Sequence, residues 1–249
     1  TVKDHQLLVF QFHHAILDGW SVASLNTELY GLCAALLSNQ TPGALSPLRS
    51  SYKDYIIESL VTKKLDENRN FWSRELSEYK RLEIFTEKPV LQVLNYQFNE
   101  QDVAVLKERV RKDNLSLKGL ALGAYLYTLA QLTYEEDLTV GLVTNTRPLV
   151  EDADLLLGCF LNTIPLRYSI DNNSTWRSWF EGVEAKLLSL KERERTSLFE
   201  ITKITGEHAS NNNPYFDTIF NFINFHVYDK LKGGVGALTP EETTALPAI

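Results

Sequence analysis

The chain predicts an α/β fold, a mixed β-sheet packed with helices, on three observations. Runs rich in strand formers alternate with stretches of helical spacing along most of its 249 residues. The run Leu138–Val143 has the near-continuous apolar character of a strand covered on both faces. Near the start, Gln6–Phe12 passes through His13-His14-Ala15-Ile16-Leu17-Asp18-Gly19-Trp20-Ser21 into helical spacing at Leu25, Leu29, Cys33 and Leu36, so a strand feeds a helix through a tight turn.

In order, Val2 to Phe12 reads as a strand buried on both faces. Ser21 is the expected N-cap of a helix running to about Leu37, stopped by Ser38-Asn39-Gln40-Thr41-Pro42-Gly43. Thr41 to Ser51, with Pro42, Gly43 and Pro47, is a surface connection and the candidate lobe boundary. A short helix around Tyr52–Tyr55 follows, then an amphipathic one from Lys64 to Leu76 whose apolar face is Phe71, Trp72 and Leu76. Val90 to Phe98 alternates like a strand, and Asn99 or Gln101 opens a helix with Val103, Leu106 and Val110 on one side. Ser116 to Tyr134 is apolar almost all round and is expected wholly in the core. Leu138–Val143 and Cys159–Tyr168 read as strands, Trp176 to Arg195 as a long amphipathic helix and Thr218 to Val227 as a last strand. Beyond Tyr228 the residues turn to Gly, Thr, Pro and Ala with no closing element.

Composition bounds the function. A net charge of −7 without clustered Lys and Arg argues against nucleic acid or an anionic membrane as partner. No apolar run approaches the roughly 20 residues that span a bilayer, and no charged-then-apolar leader opens the chain, so a cytoplasmic protein is expected. Cys33 and Cys159 lie on apolar faces without metal-ligand spacing and read as small core residues rather than a disulfide. Thr1 at the start and the absence of any Met point to a fragment of a longer chain, cut short at both ends.

The chemistry concentrates at the histidine turn. A neutral imidazole at the end of a rigid strand can take a proton from an attacking amine, hydroxyl or thiol near neutral pH. His14 and Asp18 are four apart, but Gly19 and the preceding strand argue for a turn in which Asp18 points back into the scaffold; Arg147, at the end of another strand, is its candidate partner. An adjacent His pair is also what a core or edge histidine looks like. His5, His208 and His226 show no zinc-ligand spacing, and a Ser21 nucleophile would need glycines on both sides where only Gly19 stands.

The string His13–Ser21 resembles the HHxxxDG signature of the condensation domains of nonribosomal peptide synthetases, which acyltransferases of the chloramphenicol acetyltransferase type share in shorter form. Further blocks follow in family order. Ser51-Tyr52-Lys53-Asp54-Tyr55 is similar to the YxDY block, Leu157–Arg167 to the GxFVNTxxLR block and Asn213–Phe222 to the NPLFxxxFN block. Glu194–Glu200 departs from the usual HQDYPFE and keeps only its Phe-Glu end, Phe199-Glu200.

The resemblance implies a chloramphenicol acetyltransferase-like lobe, with residues 1–50 ending the N-terminal lobe and 51–249 forming a truncated C-terminal lobe, and a tunnel between lobes. It implies amide-bond formation between thioesters brought by donor and acceptor peptidyl carrier protein domains on phosphopantetheine arms, beside adjoining synthetase domains, with no metal or redox cofactor bound directly. His14 matches the catalytic histidine, His13 its structural neighbour, Asp18 the scaffold acid and Gly19 the site of the thioester oxygen. Trp20, Ser21, Asn162 and Thr163 fall on the tunnel side. The alternatives are a noncatalytic carrier-docking module, or another acyltransferase or epimerisation domain of the superfamily; cyclisation domains replace both histidines by acids, which this chain does not.

Overall fold

The computed structural model describes residues 9–43, 46–61, 65–82, 84, 92–207 and 213–223. Among them the elements run α1 (Gly19–Leu37), α2 (Tyr52–Val61), α3 (Leu65–Glu75), α4 (Glu100–Lys112), α5 (Leu117–Thr133), β1 (Asp137–Asn145), a 3₁₀ turn (Ala153–Leu155), β2 (Leu161–Ser169), α6 (Trp176–Lys191), α7 (Leu198–Thr205) and β3 (Ile219–Phe220). They divide into two units, the first from the described residues of Thr1–Val61 with Arg147–Phe160 and Ile223, the second from those of Thr62–Thr146 with Leu161–Phe222.

The sheet lies in the second unit in the order β2-β1-β3. β1 pairs antiparallel with β2 from Asp137↔Ser169 to Asn145↔Leu161, and parallel with β3 at Gly141↔Ile219 and Leu142↔Phe220. The centre of β1, Leu138–Leu142, is buried without interruption because both of its faces are covered. Pro165 lacks a ladder donor and is tolerated in β2, which is an edge strand among the described residues. Trp72 from α3 and Leu76 just beyond it, Leu122 and Leu126 from α5, Trp179 and Val183 from α6 and Ile201 from α7 close over Val140, Leu142, Ile164 and Leu166. Each such side chain contributes about 1.5–3 kcal/mol by leaving water.

The helix limits follow from local chemistry. Asn99 caps α4 by accepting from the Asp102 amide, Ser116 caps α5 through Gly119 and Thr175 caps α6 through Ser178. α5 stops at Tyr134, whose φ of 60° turns the chain out of the helix. α7 lies where the sequence analysis placed no helix. Ser197 and Glu200 form a reciprocal capping box at its start, and that S-x-x-E spacing was a legible signal.

Several expectations are corrected. α1 is capped by Asp18, not Ser21, because the helix already starts at Gly19 and the Asp18 carboxylate accepts from the Ser21 amide. Of the strand expected at Val2–Phe12, residues 1–8 lie outside the described residues, and residues 9–12 are not in a strand; Val9 is 71% exposed and no described strand pairs with it. The strand expected at Val90–Phe98 fails for the same reason over residues 92–98, where Leu94 and Tyr96 are exposed, and Val90 and Leu91 lie outside the described residues. An apolar pattern, continuous or alternating, creates a strand only when a partner takes up its backbone groups.

α5 is buried on one face only, since Tyr127 and Leu132 are exposed although the helix is apolar all round. α6 ends at Lys191, four residues short of Arg195. The second strand begins at Leu161 rather than Cys159, and the last is confined to Ile219–Phe220 among the described residues, with residues 224–227 lying outside them. The helix at Tyr52 reaches Val61. Cys33 and Cys159 are free thiols and half-buried rather than enclosed in the core.

Gly141 at the centre of β1 admits the Phe216 ring so closely that an added Cβ would stand 2.5 Å from its Cε2. Phe216 is itself buried and has little room to yield. Gly141→Ala is expected to cost about 1–3 kcal/mol, with part of the loss recovered in a Gly141→Ala/Phe216→Leu double variant. Thermal unfolding of both variants beside the parent checks this, and parental melting of Gly141→Ala would rule out the ring as the constraint.

Candidate active site

The histidine turn is built from a short backbone reversal. The Ile16 amide donates to the His13 carbonyl at 3.0 Å, and the Ala15 amide donates to His13 Nδ1 at 3.1 Å, so His13 folds onto the turn that it opens. His14 is exposed, with its ring edge-on to Phe12 at 6.3 Å between centroids. Four residues on, the environment reverses, because Asp18 is 1% exposed.

Asp18 has its oxygens fully occupied. Oδ1 accepts from the Ser21 amide at 2.7 Å and from Arg147 at 3.3 Å, while Oδ2 accepts from the Phe160 amide at 3.1 Å. Its amide donates to the Gly158 carbonyl and its carbonyl accepts from the Val22 amide, both at 3.0 Å. The carboxylate also stands at the N-terminal end of α1 as its cap.

Arg147 completes the clamp as a fork. One nitrogen donates to the carbonyls of Ala153 and Leu156 at 2.7 and 2.6 Å, and the other reaches Asp18 and the Ser21 hydroxyl. Its guanidinium lies 4.1 Å from the centre of the Phe160 ring. Burial pulls this guanidinium below its ordinary pKa, and the Asp18 and Asp154 carboxylates oppose the shift.

Ser21 is wholly buried, and its hydroxyl donates to the Gly158 carbonyl at 2.8 Å while accepting from the Gly158 amide and Arg147. That fills both lone pairs and its single donor, leaving no face for a substrate. The indole of Trp20 donates to the Asp154 carbonyl at 2.9 Å. Gly19 is the first residue of α1, so its amide has no carbonyl within the helix to meet.

Asn162 and Thr163 belong to the second unit. Asn162 Nδ2 ties β2 to the carbonyls of Glu194 and Thr196, and its Oδ1 accepts from the Thr163 amide. The departing block therefore keeps a structural task, since Asn162 grips its start and Glu200 closes the capping box of α7.

The residues missed at the turn are Gly158, Phe160 and Tyr52. Gly158 presents both backbone groups to the turn, Phe160 its amide and its ring, and the Tyr52 hydroxyl donates to the Cys159 carbonyl at 2.9 Å. All three sit inside the family-like blocks, which was the signal available.

Fold and site together define a mixed α/β chain that carries an exposed histidine on a turn anchored by a buried acid–arginine pair. The family profile described as a condensation domain matches residues 1–236, and the chain belongs to the condensation domain family. Among relatives, a subunit of the linear gramicidin synthase of Brevibacillus parabrevis is 27% identical over 243 residues, covering 94% of this chain and 5% of that protein. The AMB antimetabolite synthetase AmbE of Pseudomonas aeruginosa is 28% identical over 229 residues, 90% of this chain and 10% of that protein. Among solved structures, the first condensation domain of the calcium-dependent antibiotic synthetase superimposes with a TM-score of 0.69 at 15% identity, over 86% of this chain and 50% of that one. The X-domain from teicoplanin biosynthesis does so with a TM-score of 0.64 at 16% identity, over 83% and 49%. The chain thus spans about half of these solved chains and a small part of the synthetases. No helix among the described residues is long and apolar enough to cross a membrane.

Removing one partner of the buried pair strands the other charge. Asp18→Ala is expected to cost about 3–5 kcal/mol, and Arg147→Lys, which keeps the charge but loses the fork, less. The first corresponds to a fall in melting temperature on the order of 10 °C. Differential scanning calorimetry reads both, and near-parental melting of Asp18→Ala would refute the anchoring role.

Proposed function

We propose that this chain forms amide bonds in nonribosomal peptide synthesis. The amine of a carrier-bound aminoacyl thioester attacks the carbonyl carbon of a donor acyl or peptidyl thioester, and the donor's C–S bond breaks to release its phosphopantetheine thiol. In this reading residues 1–50 end an N-terminal lobe and 51–249 belong to a C-terminal lobe. Donor and acceptor peptidyl carrier domains dock at opposite mouths of the tunnel between lobes, in a cytoplasmic synthetase with adjoining domains.

The observation that carries this reading is the division at the turn, an exposed His14 held four residues from a buried Asp18, in a chain of the condensation domain family. Attack by the amine places negative charge on the carbonyl oxygen and positive charge on nitrogen. His14 takes the nitrogen's proton or holds the amine in line, and the proton passes to the departing thiolate. Acid–base assistance is worth roughly 100- to 10,000-fold in rate, and holding two reactants in line about 7–11 kcal/mol in the best intramolecular cases. The Gly19 amide, at the positive end of α1, is the donor for the oxyanion, a contribution of about 3 kcal/mol. His13 and Asp18 hold the turn, and Trp20 stands toward the substrate.

The test is condensation between loaded donor and acceptor carriers, with dipeptidyl carrier as the readout. His14→Ala is expected to slow the reaction at least about 100-fold with carrier binding retained. Unchanged dipeptide formation would sink the assignment. A noncatalytic docking module would show carrier binding without turnover in the parent protein itself.

A further inference from the structure

We propose that Tyr52 is a positioning residue for His14, holding residues 158–160 in the form that receives Asp18 and Ser21; this rests on the catalytic reading of His14 above. Tyr52 opens α2, and its place there is set by Ser51 and Asp54. The Asp54 carboxylate accepts from the Ser51 amide and hydroxyl at 2.8 and 2.7 Å, and the Asp54 amide donates back to the hydroxyl. Those donors hold the Asp54 carboxyl below its ordinary pKa.

From this position Tyr52 touches three consecutive residues. Its ring lies on Gly158, where an added Cβ would stand 2.2 Å from Cδ2, its hydroxyl donates to the Cys159 carbonyl, and its edge meets the Phe160 ring at 5.1 Å between centroids. On the other side, Gly158 and Phe160 supply the backbone groups that meet Asp18 and Ser21. The 158–160 strip is thus gripped between Tyr52 and the turn's anchor. Burial pushes the Tyr52 phenol above its ordinary pKa, with Tyr55, Cys159 and the Asp18 carboxylate acting the same way, so it remains a donor at neutral pH.

The grip matters because His14 has no burial of its own to orient it. Its placement comes through a backbone that runs from the His13–Ile16 turn into Asp18. A shift of the strip moves Asp18 and with it the turn, and displacements near 1 Å can cost about 100-fold in rate. None of this requires Tyr52 to touch a substrate.

The test compares Tyr52→Phe, which deletes only the hydroxyl, with Tyr52→Leu, which deletes the ring, in the carrier assay used for His14→Ala. Melting curves and the His14 ring NMR signal, assigned by its loss in His14→Ala, accompany the rates. Tyr52→Phe is expected to lower kcat on the order of 10-fold and Tyr52→Leu on the order of 100-fold, with KM for both carriers little changed. The His14 signal should move in Tyr52→Leu, and adding Tyr52→Leu to His14→Ala should slow the reaction no further.

Lowered melting with an unchanged kcat and an unmoved His14 signal would reduce Tyr52 to scaffolding and overturn the proposal. Should His14→Ala remain active, the functional reading falls by itself, and the His14 signal still decides whether Tyr52 sets the turn. If Tyr52→Leu does not fold, Tyr52→Phe decides through the same rate and signal.

Discussion

The buried pair of Asp18 and Arg147 is the interaction on which the candidate site depends. Two opposite charges taken out of water gain little unless their remaining hydrogen-bonding capacity is met. Here it is met by backbone, since Asp18 also takes the amides of Ser21 and Phe160, and Arg147 also gives to the carbonyls of Ala153 and Leu156. The pair therefore serves as a registry device more than as a source of net stability. It fixes which residue starts α1, where the 147–160 segment lies against it, and so how the preceding turn leaves the helix.

That arrangement separates two demands that conflict in one side chain. A base must be open to its substrate and free to change protonation, whereas a residue that sets geometry must be enclosed and keep its charge. In the proposed reading, exposed His14 and enclosed Asp18 divide those tasks four residues apart. Ser21, in the first turn of α1, belongs with Asp18, because its hydroxyl is spent on Gly158 and Arg147.

Much of this was legible in the sequence where the governing physics is local. α4 and α6 carry their periodicity in the chain itself, all three of α4, α5 and α6 carry their Asn, Ser and Thr caps there, and α7 carries its capping box. The pairing of Asp18 with Arg147 followed from a turn acid and a basic residue at a strand end. The strand at 9–12 was read from a near-continuous apolar run and that at 92–98 from alternation, and neither pattern says whether a partner exists. Tyr52 and Gly158 were legible only as parts of blocks, because a ring laid against a glycine backbone has no signature in spacing.

The 147–160 segment shows how a long connection becomes a precise part. Asn145 and Leu161 are partners in the last rung of the β1–β2 ladder, so the two ends of the segment are held close together. Closing a loop of that length otherwise costs entropy that grows with the logarithm of its length, and here the ladder meets that cost. Arg147 and Phe160, the two residues of the segment that donate to the Asp18 carboxylate, sit near the closed base, where the chain has least freedom. The residues between them are folded back by the same guanidinium through Ala153 and Leu156. A loop closed at its base and stitched at its middle has few conformations left, and its Gly158 can then serve as a fixed surface against which the histidine turn is set.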